Sequence, residues 1–440
     1  QAEKAGYDAV ELDVTASNAG AIGFYRKHGF TEMFRSGSDD LLAKYGLPPL
    51  VRMRRCFRKI GEPGRPLNVS DSANPLVIND VTGLNPVAVA AAFAPGSVEQ
   101  LQQIVSNTDG PISIGGGRFS MGGQIAAAGS LHIDMRGLNR ILYFDPATRI
   151  IRVEAGIRWR DIQAVIDDYD LSIKIMQTYA DFTVGGSISV NCHGRYVGLG
   201  PLILSVNNIT VMMHDGEMVT ASPVENGELF YGVVGGYGAL GIVVSAELSL
   251  TTNTRMKRVR RKIDIVDYPD YFRTEVRAND TAVFHNADLY PPYFRNASTV
   301  TWFETDQAVS TKERLKPRRR LYMLEKYFLW AVTETPFGKW RREYIIETFY
   351  YFRSRIHWRN YEAGYDVKEL EPLLKDRSTY VLQEYFIPVD RFQEFVAKLT
   401  EILNRYRVNV VNISVRHAFA DPGSYLAWAR EETFAFVLYH

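Results

Sequence analysis

Two glycine-rich stretches contain the residues whose types and spacing could bind a phosphate-bearing ligand. Glycine adopts positive φ without a Cβ clash and leaves backbone N–H groups able to donate to anionic oxygens. The candidate residues of the first stretch are Gly115, Gly116, Gly117, Arg118, Phe119, Ser120, Met121 and Gln124. Those of the second stretch are Val184, Gly185, Gly186, Ser189, Asn191, His193 and Gly194. Two such loops suit a long cofactor that carries a pyrophosphate at one end and a ring system at the other.

A segment near the carboxyl end carries candidates for acid–base chemistry. The alternating pattern of residues 408–417 predicts a strand with Val411, Ile413 and Val415 on one face. The opposite face, which could line a polar pocket, carries Asn412, Ser414 and Arg416. Glu384 and Tyr385, on the strand predicted over residues 380–388, are with His417 the candidates for a general base. Only geometry decides among these three.

Composition excludes several classes of protein. The 440 residues are 46% hydrophobic and 23% charged with a net charge of +1, which is typical of a globular protein and provides no overall field for nucleic acid. Cys56 and Cys192 lack metal-ligand spacing, which indicates a reducing compartment and no metal site. No apolar run approaches the roughly 20 residues that span a bilayer. We therefore expect a cytoplasmic protein, with no nucleic-acid partner, that acts on a small-molecule or lipid-linked substrate.

The order of elements around the glycine-rich stretches predicts the fold class. Strand, helix, strand, glycine loop, strands and helix follow one another, which indicates an α+β domain. Ser97 and Gln100 form a capping-box pattern at the start of the first helix. Residues 236–241 satisfy the GxGxxG pattern of Rossmann nucleotide sites, but the residues from Ile242 onwards alternate as a strand. We therefore do not expect a Rossmann site there.

Taken together, these motifs resemble the PCMH-type FAD-binding domain of the vanillyl-alcohol oxidase superfamily. The shared elements are Gly115-Gly116-Gly117, Ile133-Asp134-Met135 with Leu138-Asn139, Val153-x-Ala155-Gly156, Val184-Gly185-Gly186 with His193-Gly194, Asp215-Gly216, Glu228-Leu229-Phe230, Gly235-Gly236-x-Gly238 and Leu240-Gly241-Ile242-Val243. The resemblance implies FAD as the cofactor and adds Gly238, Gly241 and Ile242 to its binding residues. It also implies an α+β architecture, with an FAD-binding domain over residues 75–255 and a substrate, or cap, domain over residues 256–440.

The resemblance bears on how FAD is held. Many relatives carry Gly-His-Ser at the first loop, with the histidine bonded to the flavin. Phe119 stands at that position here, so we expect FAD to be bound non-covalently, as in the subgroup of decaprenylphosphoryl ribose oxidase and the sterol side-chain reductases. Three roles are open for His193: it contacts the flavin, it acts as a base, or its imidazole donates a hydrogen bond to a backbone carbonyl. Asn191 is bulkier than the small residue common in oxidases, which favours a dehydrogenase.

The amino-terminal region resembles part of another family. Residues 10–33 read as strand, short helix and strand, and resemble the carboxyl-terminal part of the α/β GNAT acetyltransferase fold. In that family the coenzyme A pyrophosphate binds to a turn upstream of this strand, so we expect residues 1–40 to be a partial domain without its cofactor loop. Residues 41–74, rich in Pro, Gly, Arg and Ser, are predicted to be a linker with a solvated basic cluster.

The predicted substrate domain has three further features. In aldonolactone and alditol oxidases, the strand that corresponds to residues 408–417 brings an arginine to the flavin. Arg416 falls in that position here. The resemblance implies that its positive charge would stabilise the negative charge of the reduced flavin ring. Residues 311–359 combine 13 Lys and Arg and 12 aromatic residues with 5 Asp and Glu. This segment either contacts a membrane peripherally or packs its aromatic rings inward.

We also expect the substrate domain to be truncated at its carboxyl end, because the chain stops within a predicted strand.

These features predict an FAD-dependent oxidoreductase that removes hydride from a CH–OH group of a sugar, polyol, lactone or lipid-linked sugar. An alternative reaction is hydride addition to a carbon–carbon double bond, as in the sterol reductases. A second alternative is an inactive truncated fusion with a vestigial acetyltransferase segment. Whether oxygen or another acceptor reoxidises the flavin stays open.

Overall fold

A computed structural model describes residues 76–318, 337–366 and 379–440, together with four amino-terminal strands and a few single positions. The chain divides into two compact units. Unit 1 comprises Gln1–Lys174, Phe182–Val190 and Ser205–Thr252, and unit 2 comprises Ile175–Asp181, Asn191–Leu204 and Asn253–His440. The chain therefore passes from unit 1 to unit 2 within the second glycine-rich stretch, between Val190 and Asn191.

Unit 1 contains several small sheets. Its described strands are β1 (Ala9–Thr15), β2 (Thr31–Arg35), β3 (Leu50–Cys56), β4 (Asn68–Val69), β5 (Leu76–Ile78), β6 (Val87–Val89), β7 (Ala91–Phe93), β8 (Ile112–Gly115), β9 (Leu131–Asp134), β10 (Ile141–Asp145), β11 (Ile150–Glu154), β12 (Leu171–Ile173), β13 (Val206–Met212), β14 (Met218–Ala221) and β15 (Ile242–Thr252). The sheet orders are β1-β3-β2, β5-β6, β4-β7-β9-β8 and β10-β11-β15-β13-β14, with β12 paired to β15. Only β7 and β8 run parallel to their neighbour β9 among the described pairs. Mostly antiparallel sheets with a few helices confirm the predicted α+β class.

The helices of unit 1 begin where local signals predict. They are α1 (Val98–Ser106), α2 (Trp159–Ile166), α3 (Val184–Ser189) and α4 (Gly227–Val233). Ser97 Oγ accepts from the amide of Gln100 at 3.3 Å, and Gln100 Oε1 accepts from the amide of Gly96 at 2.9 Å. This reciprocal arrangement satisfies two amide groups at the start of α1 and confirms the capping prediction. Leu101 and Val105 then face the core shared with β8 and β9.

Unit 2 is built on one seven-stranded antiparallel sheet. Its strands are β16 (Arg255–Asp264), β17 (Ala282–Leu289), β18 (Asn296–Glu304), β19 (Ile356–Trp358), β20 (Leu382–Pro388), β21 (Asn412–Ala418) and β22 (Thr433–Tyr439). They lie in the order β19-β16-β18-β17-β21-β22-β20. The described helices of this unit are α5 (Tyr268–Tyr271), α6 (Gly338–Arg341), α7 (Glu347–Tyr351), α8 (Arg359–Glu362) and α9 (Phe392–Arg405). None of the described helices is long and apolar enough to span a membrane.

The two faces of this sheet differ sharply in chemistry. On one face, a core cluster packs the apolar side chains of α5 and α9 against those of β17, β21 and β22. The side chains that alternate with them point to the other face, called here the polar face. It carries Arg258, Asn286, Asp288, Val300, Glu384, Phe386, Ser414, Arg416, Ala435 and Val437. The predicted alternation is confirmed within β21, where Ile413 and Val415 lie in the core, but residues 408–411 lie outside the strand, and Val410, not the predicted Val411, belongs to the core cluster.

The structure differs from the sequence prediction in the linker. Leu50–Cys56, within the predicted linker over residues 41–74, forms β3 and pairs with both β1 and β2. The register sets Arg52 beside Asp13 and Arg54 beside Glu11. Residue types of opposite charge favour such cross-strand positions. The acidic strand lies about 40 residues earlier in the chain, so the basic run considered alone indicated a solvated segment. Most of the helix predicted between β1 and β2 lies outside the described residues.

Candidate functional site

The first glycine-rich stretch forms a half-buried loop after β8 in unit 1. No backbone amide of residues 116–120 donates a hydrogen bond to a described residue. Backbone N–H groups normally find an acceptor, and successive amides in a glycine-rich loop are well suited to phosphate oxygens. The loop therefore presents the donors that a pyrophosphate needs.

Two of its glycines are required by close neighbours. A Cβ on Gly116 would lie 2.3 Å from Thr183 Oγ1, and a Cβ on Gly115 would lie 2.7 Å from His132 Nε2. Neither contact is possible in a close-packed interior without displacing the loop. Because Thr183 directly precedes Val184, the structure brings the two glycine-rich stretches into contact within unit 1.

Arg118 adds a cation to the loop. Its backbone is left-handed, with φ 62°. One terminal nitrogen lies 3.4 Å from Asp134 Oδ2, whereas the buried Nε has no partner among the described residues. Burial lowers the pKa of Arg118 and the charge of Asp134 opposes this shift, but a guanidinium stays charged in proteins. A buried N–H without an acceptor, beside a row of free amides, indicates a place for an anion.

His132, on β9, lies under this loop, and sequence patterns gave no signal for it. Its Nδ1 lies 3.0 Å from Ser113 Oγ, and its buried Nε2 has no partner in the described chain. Burial, assisted by the charge of Arg118, lowers its pKa to about 4. The ring is therefore neutral at neutral pH and adds no charge beneath the loop.

The remaining residues of the first stretch shape the loop. Phe119 packs edge-on against Phe182, with the ring centroids 4.8 Å apart. Gln124 Oε1 accepts from the amide of Gly122 at 3.1 Å, so this side chain closes the turn that follows. Ser120 and Met121 lie half-buried between these contacts.

The second stretch begins as a short helix, α3, and not as the open loop that its glycines predict. The amide of Val184 donates to Ile157 O at 2.9 Å, and that of Gly185 donates to Ala155 O at 2.7 Å. A Cβ on Gly185 would lie 2.8 Å from the Cβ of Ala155. Val184 and Gly185 therefore fix the position of α3 and offer no free amide, whereas Gly186 is exposed.

Residues 235–242 pack onto α3 and the first loop. Ser189 O accepts from the amide of Tyr237 at 2.9 Å. Gly238 has φ 78°, and a Cβ there would lie 3.8 Å from Ile114 Cδ1. Gly241, with φ 156°, leads into Ile242, which is buried and begins β15. A strand and not a helix follows the GxGxxG pattern, as predicted.

The residues present in unit 1 fit FAD. The loop amides, the half-buried cation Arg118 and two glycines that leave no room for a side chain lie together, and this donor set suits a pyrophosphate. Residues 112–124, α3 and residues 235–242 contact one another, as the resemblance implied for a single cofactor site.

Asn191 belongs to unit 2, where its side chain is fully engaged. Its Nδ2 donates to Asp421 Oδ2 at 2.6 Å, and its Oδ1 accepts from the amide of Ile203 at 3.0 Å. Its carbonyl accepts from Trp428 Nε1 at 2.8 Å. Asn191 also has φ 45°, a conformation that asparagine tolerates better than most residues. The contacts that the structure shows for this residue are therefore structural.

His193 and Glu384 form a pair in unit 2. His193 Nε2 lies 3.2 Å from Glu384 Oε2, and His193 Nδ1 lies 3.3 Å from the carbonyl of Gly194. The imidazole is 6% exposed and contacts Phe386 and Trp428. Burial raises the pKa of Glu384, but His193 and Arg416 together hold it below its usual value. Glu384 is therefore a carboxylate at neutral pH.

Arg416 lies near this pair on the polar face. Glu384 and Ser414 both pair with Val437 on β22, and Arg416 pairs with Ala435 two residues away. Arg416 makes no hydrogen bond to a described residue, and its Nε is buried. Burial lowers its pKa while Glu384 opposes that shift. This is a cation in position to bind an oxygen of a ligand.

Asp288 extends the row of polar groups and was not predicted. It pairs with Ser414 across β17 and β21, and its Oδ1 accepts a hydrogen bond from Asn412 Nδ2 at 3.3 Å. Burial raises the pKa of Asp288, against the lowering effect of Arg342, Ser414 and Arg416. The only sequence signal for Asp288 was its place in a strand-like segment, and strand alternation alone assigns no function to one residue.

Tyr385 and His417 lie on the opposite face of the sheet. Tyr385 packs against Phe395 of α9, and its hydroxyl donates to Gln383 at 3.3 Å. His417 is 2.7 Å from Glu432 through Nε2 and packs against Phe272. Strand alternation separates both from Glu384 and Arg416. The structure thus brings together only two of the four catalytic candidates.

Comparison with known proteins identifies the class of the central region. Residues 89–222 match the family described as FAD binding domain. Cytokinin dehydrogenase 2 of Arabidopsis thaliana is 28% identical over 280 residues, which are 60% of this chain and 55% of that protein. L-gulonolactone oxidase of Mus musculus is 22% identical over 340 residues, 77% of this chain and 74% of that protein. Decaprenylphosphoryl-beta-D-ribose oxidase of Mycolicibacterium smegmatis is 31% identical over 144 residues, 32% of this chain and 31% of that protein.

The family match identifies an FAD-binding domain, and together with the relatives it supports FAD as the cofactor. The matched residues contain the first loop and α3, where the free amides and the required glycines lie. For cytokinin dehydrogenase 2, this chain spans only 55% of the relative's own length.

Proposed function

We propose that this protein oxidises a CH–OH group of a sugar, polyol, lactone or lipid-linked sugar. Bound FAD supplies the hydride acceptor. The proposal is supported by relatives named L-gulonolactone oxidase and decaprenylphosphoryl-beta-D-ribose oxidase. It depends most on one observation in unit 2: the Glu384–His193 pair lies next to Arg416 on the polar face, and the Arg416 side chain has no hydrogen-bond partner among the described residues.

Glu384 takes the hydroxyl proton in this proposal. A general base must be deprotonated at the working pH, and the lowered pKa of Glu384 meets that condition. His193 holds the carboxylate through the 3.2 Å contact and is a positioning residue. Arg416 binds the substrate oxygen and orients the C–H bond, because its guanidinium has donors with no acceptor in the described chain.

The proposal is tested with two glutamate variants. Glu384→Gln keeps the shape of the side chain but removes the base, so kcat/KM should fall by about 10²- to 10⁴-fold. Glu394→Gln is the matched control, since Glu394 is an exposed residue of α9 that pairs with Arg391. Activity is measured on sugars, polyols and aldonolactones with an artificial electron acceptor. Equal rates for the two variants would exclude Glu384 as the base.

We further propose that FAD is held non-covalently. Phe119 stands where tethered relatives carry histidine, and a benzyl side chain cannot bond to the flavin. After acid precipitation of the yellow holoprotein, the flavin colour should remain in the supernatant. Colour retained on the washed precipitate would overturn this proposal.

We also propose that residues 337–352 contact an anionic lipid surface. Phe337, Phe349 and Phe352 are 80%, 79% and 82% exposed, so these rings do not pack inward. The exposed Arg341 and Arg353 flank them. Exposed aromatic rings with basic neighbours are typical of peripheral contact with anionic membranes.

Flotation of the holoprotein with vesicles tests the lipid contact. The protein should float with phosphatidylserine-containing vesicles at low salt, and Phe349→Ser with Phe352→Ser should abolish flotation. Tyr425→Ser is the control, because Tyr425 is 61% exposed elsewhere in unit 2. Failure of the unmodified protein to float, or equal flotation of all variants, would refute the proposal.

A further inference from the structure

Unit 2 contains a cavity of about 380 Å³ beside the polar face. Its lining includes three residues of the sheet, Asn286, Val300 and Trp302, together with Tyr350, Tyr351, Arg355, His357, Tyr361, Glu362 and Tyr365. Pockets that bind small molecules have volumes of roughly 300–1,000 Å³, and this cavity lies within that range.

The cavity is lined by more cations than carboxylates. Four basic side chains, Arg195, Arg258, Lys316 and Arg355, face one carboxylate, Glu362. Glu362 is committed to Arg195, since Nη1 of the arginine lies 3.2 Å from its Oε1. Burial raises the pKa of Glu362, but His357 and Arg195 hold it below its usual value, so this pair is fully ionised.

Arg258 and Arg355 have no carboxylate partner among the residues that the structure describes. Arg258 is 6% exposed and donates only to the backbone carbonyls of Tyr350 and Arg353, both at 3.1 Å, within the described chain. Arg258 and Arg355 lie over the same ring of Tyr350, each 5.2 Å from its centroid. Two cationic groups therefore border one aromatic ring of the cavity wall.

The cavity also adjoins the proposed reaction centre. Ala287 pairs with Val415, so the same antiparallel register sets Asn286 of the cavity wall beside Arg416. Neighbouring strands lie about 5 Å apart. A ligand as short as a sugar phosphate can therefore reach from Arg416 into the cavity.

We propose that this cavity binds a phosphate group. Its aromatic and cationic lining suits a phosphomonoester or phosphodiester attached to an organic body. The inference rests on the proposed function in one respect: the phosphate belongs to the alcohol that is oxidised, which makes the substrate a phosphorylated one. A phosphate on a separate effector has the same chemistry and is distinguished by kinetics.

Calorimetric titration of the FAD-loaded protein tests the cavity, with phenyl phosphate, inorganic phosphate and phenol as probes. Phenyl phosphate should bind at least about tenfold more tightly than phenol. Arg355→Gln and Lys316→Gln should each weaken phenyl phosphate binding about five- to tenfold. Arg353→Gln, an exposed cation two residues from Arg355 that does not line the cavity, should leave binding unchanged. Equal affinities for phenyl phosphate and phenol, or equal effects of Arg355→Gln and Arg353→Gln, would overturn the proposal.

Kinetics distinguish the two sources of phosphate and separate this proposal from the proposed function. Inorganic phosphate should inhibit competitively against the alcohol substrate, whereas mixed or uncompetitive inhibition would refute the substrate assignment and leave an effector site. If no alcohol is oxidised but phenyl phosphate binding depends on Arg355, the function fails and the cavity site stands. If neutral alcohols are oxidised and no phosphate binds, the cavity proposal fails alone.

Discussion

Replacing Gly116 by alanine adds a single Cβ atom to the proposed cofactor loop of unit 1 and tests whether the loop has room for it. The added Cβ would lie 2.3 Å from Thr183 Oγ1 and 3.5 Å from Thr183 Cβ. Reaching an ordinary contact of 3.4 Å requires a displacement of 1.1 Å, which is 3.4 minus 2.3. The same loop carries the free amides of residues 116–120, so the displacement moves the donors proposed to bind the pyrophosphate.

The expected loss follows from the cost of overpacking. A forced shift of this kind costs about 1–3 kcal/mol. If FAD must restore the loop to bind, this cost becomes a roughly 5- to 150-fold increase in the Kd for FAD. The Kd is measured by flavin fluorescence quenching on titration of the deflavinated protein, with thermal unfolding as a separate check on folding.

Variants of Thr183 test whether the contact with its Oγ1 causes the loss of affinity. Thr183→Ala removes Oγ1 and leaves only the 3.5 Å contact, so Gly116→Ala with Thr183→Ala should recover most of the affinity. Thr183→Ser keeps the oxygen and should not rescue. Gly110→Ala is the matched control, because nothing lies within 4 Å of a Cβ at that position. Rescue by serine equal to that by alanine, or normal affinity for Gly116→Ala, would refute the reasoning.

Three further predictions concern charge and anchoring. Arg416→Gln removes a cation that lowers the pKa of Glu384, so the acidic limb of the kcat/KM profile should move to higher pH; an unmoved limb would mean that another group titrates. Because burial lowers the pKa of His132 from 6.5 to about 4, the protonated form favours the unfolded state, and the unfolding free energy should fall as the pH falls from 6.5 towards 4. His132→Gln should flatten this slope in urea titrations across that window. Asn191→Ala leaves Asp421 without its 2.6 Å donor and should cost about 1–3 kcal/mol in urea unfolding; Asn191→Gly, which keeps the left-handed backbone without strain, should cost less.

Much of the FAD-binding region was predictable because its signals are local. Glycine runs, capping residues and strand alternation each act within a few residues, and β8, α1 and β15 form where these patterns indicate. Two features depended on partners remote in sequence. The basic run within residues 41–74 becomes β3 only beside β1 and β2. His193 contacts Glu384, 191 residues further along the chain, and no spacing rule connects them.

The four catalytic candidates show how far the alternation of side chains along a strand can predict which residues share a site. Alternation alone requires that Glu384 and Tyr385, being adjacent on β20, point to opposite faces, and the same holds for Arg416 and His417 on β21. At most one residue of each pair can therefore serve a single site. The sequence could not say which residue of one strand shares a face with which residue of the other. The register of β22 determines this, because its Val437 pairs with both Glu384 and Ser414 and so places them on the same face. A shift of one residue in either pairing would have put Tyr385 beside Arg416, so the register of β22 selects Glu384 and Arg416 as the pair to test.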